Sequence, residues 1–298
     1  MGLFSCCKKK PSLDTILEDN INLEIINGDD VENVQERVAV VVGINYKGLG
    51  CELKGCIDDS KTIKSFLKNT LHFKEEEIIH LTDETDSKPT KENIITALEQ
   101  TVELANKGTK EIWFYYSGHG SFVFDHNGDE DDFCDEVIVP IDFRRSGIIA
   151  DDELNKVIRK LPKDCKMISL FDCCHSGTAL DLKYRYVGST ENATEHNENA
   201  CEADITFISG SMDDQVSMEV YGLVENKYSG AMTNAFMDSV KKGEGQFINS
   251  ANLLTCMRDY LTENNMDQIP QLSSSRKIDE NSVFLHRNLS LSMREPKE

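Results

Sequence analysis

No run of residues in this 298-residue chain is apolar for long enough to span a bilayer as a helix, and no segment has the apolar core of a secretory signal. Those two absences argue against a membrane-spanning helix and against export. Basic residues are in deficit, 32 Lys and Arg against 53 Asp and Glu, for a net charge of -21. So acidic a chain repels a phosphate backbone, which argues against nucleic acid as a partner and favours cations, either metal ions or basic peptides. Solubility alone accounts for most of those acids. No CxxC pair is present to suggest zinc. The ten cysteines sit in too long a chain, with adjacent pairs at Cys6-Cys7 and Cys173-Cys174, to read as a disulfide scaffold. Reduced thiols in the cytosol are the expectation. Internal repeats and low-complexity tracts are absent as well. What remains, 39% hydrophobic and 29% charged, is material for one large α/β domain.

The first ten residues, Met1-Gly2-Leu3-Phe4-Ser5-Cys6-Cys7-Lys8-Lys9-Lys10, look like a lipidation cassette. Gly2 becomes the free terminus once Met1 is removed, as N-myristoylation requires, although Cys6 stands where Ser or Thr is usual. Cys6 and Cys7 are candidate palmitoylation sites beside a weak basic patch. One myristoyl chain binds a membrane marginally, whereas a second acyl chain with lysines anchors stably. The expectation is a protein peripheral to the cytosolic face of a membrane; the plainer alternative is a frayed, uncleaved terminus. Residues 1–35 therefore read as a lipidated segment and linker, and 36–298 as the folded domain.

From Arg37 onward strands and helices alternate. Val38 to Gly43, Ile78 to Leu81, Ile112 to Tyr116, Glu136 to Val139, Met167 to Phe171, Ile205 to Ser209 and Ser282 to His286 read as strands. Helices are expected over Asp58–Asn69, from Pro89-Thr90 to about Asn106, Asp151–Lys160, Gly230–Lys241 and Ser250–Asn264. An acidic loop follows Gly120, and the polar stretch Gly188 to Cys201 reads as a surface loop. This alternation predicts a mainly parallel sheet covered on both faces, whose ligands gather outside the carboxyl ends of the strands.

Two motifs fall at such ends: Tyr116-Ser117-Gly118-His119-Gly120, and Asp172-Cys173-Cys174-His175-Ser176-Gly177. They deliver a histidine and a cysteine to one edge of the sheet, the minimal equipment for acyl transfer. Cysteine attacks as thiolate and needs help to ionise at neutral pH. A helix expected from Ser176 would place Cys174 at its amino end, where dipole and free amides favour an anion. His119 would take the thiol proton and return it to the leaving amine. The Gly120 amide, with that of Cys174, is an oxyanion-hole candidate. A buried structural thiol is the usual role of a lone cysteine, but two motifs on one edge reverse those odds for Cys174. Cys173 reads as packing. His175 could compete as the base but shares Cys174's own turn. A Cys-Cys-His metal site lacks a second spaced ligand pair.

On these residues the chain resembles a type I metacaspase, in the caspase-like clan of cysteine proteases. Further signposts are Gly55-Cys56-Ile57-Asp58-Asp59, Asp151-Asp152-Glu153-Leu154, Ser211-Met212-Asp213-Asp214-Gln215 and Pro270 to Ser275, so the resemblance runs from about Val38 to the end. It implies a caspase-like three-layer fold and a monomer that cleaves basic peptide or protein substrates after Arg or Lys. It also implies a substrate pocket built from Cys56, Asp59, Ser117 and Asp172, whose carboxylates would pair with a guanidinium or ammonium and repel an acidic side chain. Asp59 taken alone reads equally as a helix N-cap. The resemblance further implies activation by Ca²⁺ through Asp135, Asp151, Asp152 and Asp181, hard oxygen ligands of the kind calcium prefers. Asp151-Asp152 alone would read as a helix start, and Asp181 as solvated surface. A rival calcium loop at Asp125 to Glu136 fits an EF-hand at positions one, three, five and twelve but has Glu130 where Gly is needed, between strands. Lys183, Arg185 and Lys227, in segments expected to be exposed, are candidate self-cleavage sites. Against the protease stands a lipid-anchored pseudoprotease scaffold, and against its basic specificity a caspase-type enzyme cutting after Asp. The latter needs a basic pocket, and neither motif contains an arginine.

Overall fold

The apolar run Arg37–Gly43 (β1) shows how the two-faced sheet arises. Alternate side chains of a strand point to opposite faces. Val38, Val40 and Val42 pack with Ile94, Leu98 and Leu154, whereas Ala39 and Val41 pack with Ile63, Leu67, Phe236 and Leu253. Both faces are buried, so β1 is apolar throughout rather than alternating. A computed structural model describes residues 35–124, 134–174, 179–186, 193–195, 201–210, 219–221, 228–242, 248–278 and 283–285, all within the unit Val34–Glu298. Gly2, Cys6 and Cys7 lie outside the described residues, as do His175 and Lys227.

In chain order β1 is followed by α1 (Cys56–Asn69), β2 (Ile78–Thr82), α2 (Lys91–Lys107), β3 (Glu111–Ser117), β4 (Gly120–Phe124), β5 (Cys134–Ile138), α3 (Phe143–Ser146), β6 (Ile149–Ala150), α4 (Asp151–Ile158) and β7 (Lys166–Asp172). Then come β8 (Tyr184–Tyr186), β9 (Ala193–Glu195), β10 (Asp204–Ser209), β11 (Glu219–Tyr221), β12 (Tyr228–Gly230), α5 (Ala231–Lys242), β13 (Ile248–Asn249), α6 (Ser250–Glu263), β14 (Gln271–Ser274) and β15 (Val283–Leu285). Helix starts follow local chemistry: Thr90 Oγ1 accepts the Asn93 amide at 3.2 Å to cap α2, and Asn249 Oδ1 accepts the Asn252 amide at 2.7 Å to cap α6.

The principal sheet has the order β2-β1-β3-β7-β10-β14-β8-β9. Its first five strands are parallel, as expected, and β14, β8 and β9 extend it antiparallel. With α2 and α4 on one face and α1, α5 and α6 on the other, it is a three-layer caspase-like α/β fold. The stretch expected as a surface loop contains β9 and the buried Cys201. The segment just after His119, expected as loop, is strand β4, paired antiparallel with β5. Antiparallel strands flanking residues 125–133 rule out the helix–loop–helix of an EF-hand.

Chain order places the site. From β1 the chain crosses by α1 to β2 on one side, then by α2, over the opposite face, to β3 on the other side. The turns leaving β1 and β3 thus diverge at a topological switch point, where a crevice opens at the carboxyl ends of the strands.

One half-buried titratable group lies on the neighbouring edge strand. His80 Nε2 is 2.9 Å from Ser60 Oγ, whose hydroxyl donates to the Ile57 carbonyl at 2.7 Å. Burial, with Lys64 and Lys61 nearby, holds the imidazole down to about 4. Between its ordinary value of about 6.5 and about 4, the unfolded chain binds a proton that the folded chain refuses. Stability from this group is therefore complete above that window and lost as pH falls through it. His80→Gln is expected to flatten the dependence of Tm on pH there; parallel wild-type and variant curves would contradict it.

Candidate active site

β3 and β7 are neighbours in register, with Ser117 opposite Asp172, so the histidine and cysteine motifs leave the sheet side by side. The backbone of Gly120 lies against that of Cys174 so tightly that a Cβ at residue 120 would overlap the Cys174 carbonyl oxygen and come within 3.1 Å of Cys173 Sγ. Cys174 is half-buried, whereas Cys173 is buried packing. Residues 179–183 are turn and irregular chain. The helix expected from Ser176 therefore does not extend through them; its start lies outside the described residues.

His119 is held from all sides. Its Nε2 lies 2.8 Å from the Cys51 carbonyl, which can only accept, so Nε2 carries the proton and Nδ1 is left with the lone pair of a base. Its backbone N–H donates to Tyr46 Oη at 2.9 Å, and its carbonyl accepts from Tyr116 Oη at 2.7 Å. The Tyr46 ring packs on the imidazole with centroids 4.7 Å apart, and the Tyr46 hydroxyl donates to the Val139 carbonyl at 2.6 Å. Burial pushes both phenols well above their ordinary range, so they remain protonated donors.

Gly120→Ala tests this packing. The added methyl meets backbone that no rotamer change can clear, so Cys174 must shift relative to His119. Displacement of about 1 Å in a catalytic pair costs about a hundredfold. We expect a loss of kcat of that order, with thermal unfolding confirming the fold. A folded variant as active as wild type would show the contact to be dispensable.

Behind the sheet edge lie two buried acids. Asp172, 5% exposed, accepts the Thr233 amide at 2.8 Å and the Thr233 hydroxyl at 2.7 Å through Oδ2. Asp59, 2% exposed, accepts the Gly230 amide at 2.8 Å. Because the Thr233 hydroxyl donates to Asp172, Tyr115 Oη, 2.7 Å away, donates to Thr233. Burial first, then Asp59 and Asp172, push the Tyr115 phenol well above its ordinary range. Only glycine fits at 230, where a Cβ would overlap the Asp172 carboxylate. Asp59 is no helix cap, since Gly55 precedes α1 and Asp59 sits inside its first turn. Ser117 is buried at the end of β3 and Cys56 at the start of α1. Tyr115, Thr233 and Gly230 carried no signal in the sequence.

The remaining acids gather around the start of α4. Asp151 is buried; its Oδ2 accepts the Glu136 amide at 3.0 Å and its Oδ1 the Asp152 amide at 2.7 Å. Burial, with Asp135 adding repulsion, pushes its carboxyl up to about 7. Asp152 is exposed and Asp135 half-buried. Asp181, half-buried with φ of 45°, joins them through Asn155, whose Nδ2 donates to the Leu180 and Asp181 carbonyls at 3.0 and 3.2 Å. Among the described residues no group of three or more His, Cys, Asp or Glu side chains is preassembled to hold a metal ion. The self-cleavage expectation needs correction at Arg185, whereas Lys183 lies on a bend before β8 and Lys227 outside the described residues. Lys183 and Arg185 are half-buried, and Arg185 lies on β8, paired on one side with β14 and on the other with β9. A strand so held offers a protease no exposed loop.

A sheet of this order, with histidine and cysteine leaving adjacent central strands, defines the caspase-like class of cysteine peptidases. Solved structures share the fold. Protein GSU0716 of Geobacter sulfurreducens matches with a TM-score of 0.58 at 21% identity, over 80% of this chain and 93% of that one. Caspase-1 of Spodoptera frugiperda matches with a TM-score of 0.52 at 11% identity, over 82% of this chain and 88% of that one. In sequence, residues 37–183 match the metacaspase, peptidase C14 domain. Metacaspase-1B of Neurospora crassa is 34% identical over 83% of this chain and 68% of its own. Metacaspase-1 of Meyerozyma guilliermondii is 35% identical over 83% of this chain and 71% of its own. The chain belongs to the metacaspase family and is a cysteine-type endopeptidase.

Proposed function

We propose that this metacaspase cleaves after Arg or Lys under calcium control, with Cys174 as nucleophile and His119 as base, at a membrane surface to which acylation of its amino terminus holds it. The register setting Ser117 opposite Asp172 supports this most directly, because it brings the histidine motif, the cysteine motif and Asp172 to one strand end. His119 Nδ1 takes the Cys174 thiol proton, and the sulfur pair attacks the scissile carbonyl carbon while the π pair moves to oxygen. The Gly120 and Cys174 amides would donate to that oxyanion. Collapse breaks the C–N bond, and His119 gives its proton to the departing amine. Water, deprotonated by His119, then splits the thioester and regenerates the thiol. Asp59 and Asp172 hold the guanidinium or ammonium of the substrate.

Asp135, Asp151, Asp152 and Asp181 would hold Ca²⁺, which would neutralise carboxylates that burial and mutual repulsion otherwise disfavour, and so draw together the segments flanking α4. Calcium is expected to raise the Tm of wild type and not of Asp151→Asn; equal shifts would remove the ion from these residues. Gly2 would be myristoylated and Cys6 and Cys7 palmitoylated. Gly2→Ala should then move the protein from the membrane to the supernatant fraction.

The deciding assay pairs fluorogenic peptides ending in Arg and in Asp, with calcium and with chelator. Turnover of the Arg peptide alone, dependent on calcium, is the expected result. Turnover of the Asp peptide would overturn the pocket, and no turnover from folded protein would leave a binding scaffold.

A further inference from the structure

Tyr46 has a φ of 52°, in the left-handed region that bulky side chains rarely occupy. Such a conformation persists where the surroundings over-determine it, and here one carboxylate does so. Asp83 accepts the Asn45 amide at 2.9 Å through Oδ1 and the Lys47 amide at 3.0 Å through Oδ2. A left-handed residue turns neighbouring amides toward a common point, making a small anion cradle, and Asp83 fills it. Asp83 is itself set by a turn after β2, in which Thr82 Oγ1 accepts the Glu84 and Thr85 amides, each at 3.1 Å. Asn45 carries the link onward, accepting the Ile57 amide at 3.1 Å and donating to the Lys54 carbonyl at 3.2 Å. Those contacts tie down the loop whose Cys51 carbonyl orients His119.

We propose that Asp83 is a positioning residue for catalysis: by clamping Tyr46 in its left-handed conformation, it fixes where the imidazole of His119 stands. The Tyr46 hydroxyl and ring are the two surfaces through which the clamp reaches the histidine. The proposal rests on the dyad assigned above and adds a group, outside the dyad and the pocket, on which the dyad depends.

The test follows alkylation of Cys174 by iodoacetamide against pH, read by mass spectrometry of its own peptide, alongside kcat and KM for an Arg peptide. The proteins are the full chain, Asp83→Asn, Tyr46→Phe, the double variant and His119→Ala. With the clamp loosened, His119 supports the thiolate less, and the alkylation profile moves toward the ordinary thiol range near about 8.5. Each single variant is expected to lose about tenfold in kcat with KM nearly constant, and the double variant no more than the worse single, because both act through one link. An Asp83 serving only as a turn cap would lower Tm and leave the profile of the folded protein unmoved, which overturns the proposal. Should Tyr46→Phe fail to fold, Asp83→Asn, a substitution in a half-buried loop, decides alone. Wild type without peptide turnover sinks the functional reading, while the alkylation profiles still judge the clamp. A wild-type profile that His119→Ala does not move overturns the dyad and the clamp together.

Discussion

Cys174→Ala is expected to abolish turnover of an Arg peptide, and His119→Ala to lower kcat by about 10⁴-fold, while the double variant is no worse than Cys174→Ala. Members of a nucleophile–base pair act as a unit, so their losses do not add. The structure gives a reason to expect intact folding in both. Cys174 is half-buried at a strand end, and His119 takes its backbone bonds from Tyr46 and Tyr116 whatever its side chain. Steady-state kinetics with thermal melts check this. A His119→Ala enzyme retaining a tenth of wild-type kcat would transfer the base to another group.

Asp172→Asn should cost roughly a thousandfold in kcat/KM for an Arg peptide, in line with removing one partner of a buried charged pair. The amide keeps one acceptor for Thr233 but loses the charge that, on the proposed reading, would face the guanidinium. Its NH₂ must also share a site lined by the donors Thr233 N–H and Thr233 Oγ1. Alkylation of Cys174 does not use the pocket and should be nearly unchanged. If alkylation and hydrolysis fall together, Asp172 supports the dyad rather than the substrate.

The parts legible in the sequence were those whose physics is local. β1, β3 and β7 are buried on both faces and therefore apolar along most of their length, and the caps of α2 and α6 lie within three residues of the amides they bind. A glycine-flanked histidine and a cysteine just past such strands announced themselves. By contrast, β14 reads Gln271-Leu272-Ser273-Ser274, polar yet fully buried, because neighbours satisfy those groups; Arg185, for one, donates to Gln271 at 3.2 Å. No periodicity marks a strand of that kind. Tyr115 and Thr233 meet across 118 positions of sequence, and nothing in the letters gives Tyr46 its positive φ; that follows from Asp83, which a whole helix separates from it.

The order of synthesis gives the pocket a further consequence. Both acids are in place once β7 has formed, and so are the histidine and the cysteine. The donors that hold the acids, Gly230 and Thr233, come later, at the junction of β12 and α5. A chain that has emerged only as far as Asp172 or Cys174 thus has both carboxylates but neither the amides that hold them nor the helix that covers them. The bonds that hold Asp59 and Asp172 in place cannot form until α5 leaves the ribosome and docks. If those acids form the proposed pocket, the peptidase would in this way be kept blunt during its own manufacture, with the order of its elements serving as a timer.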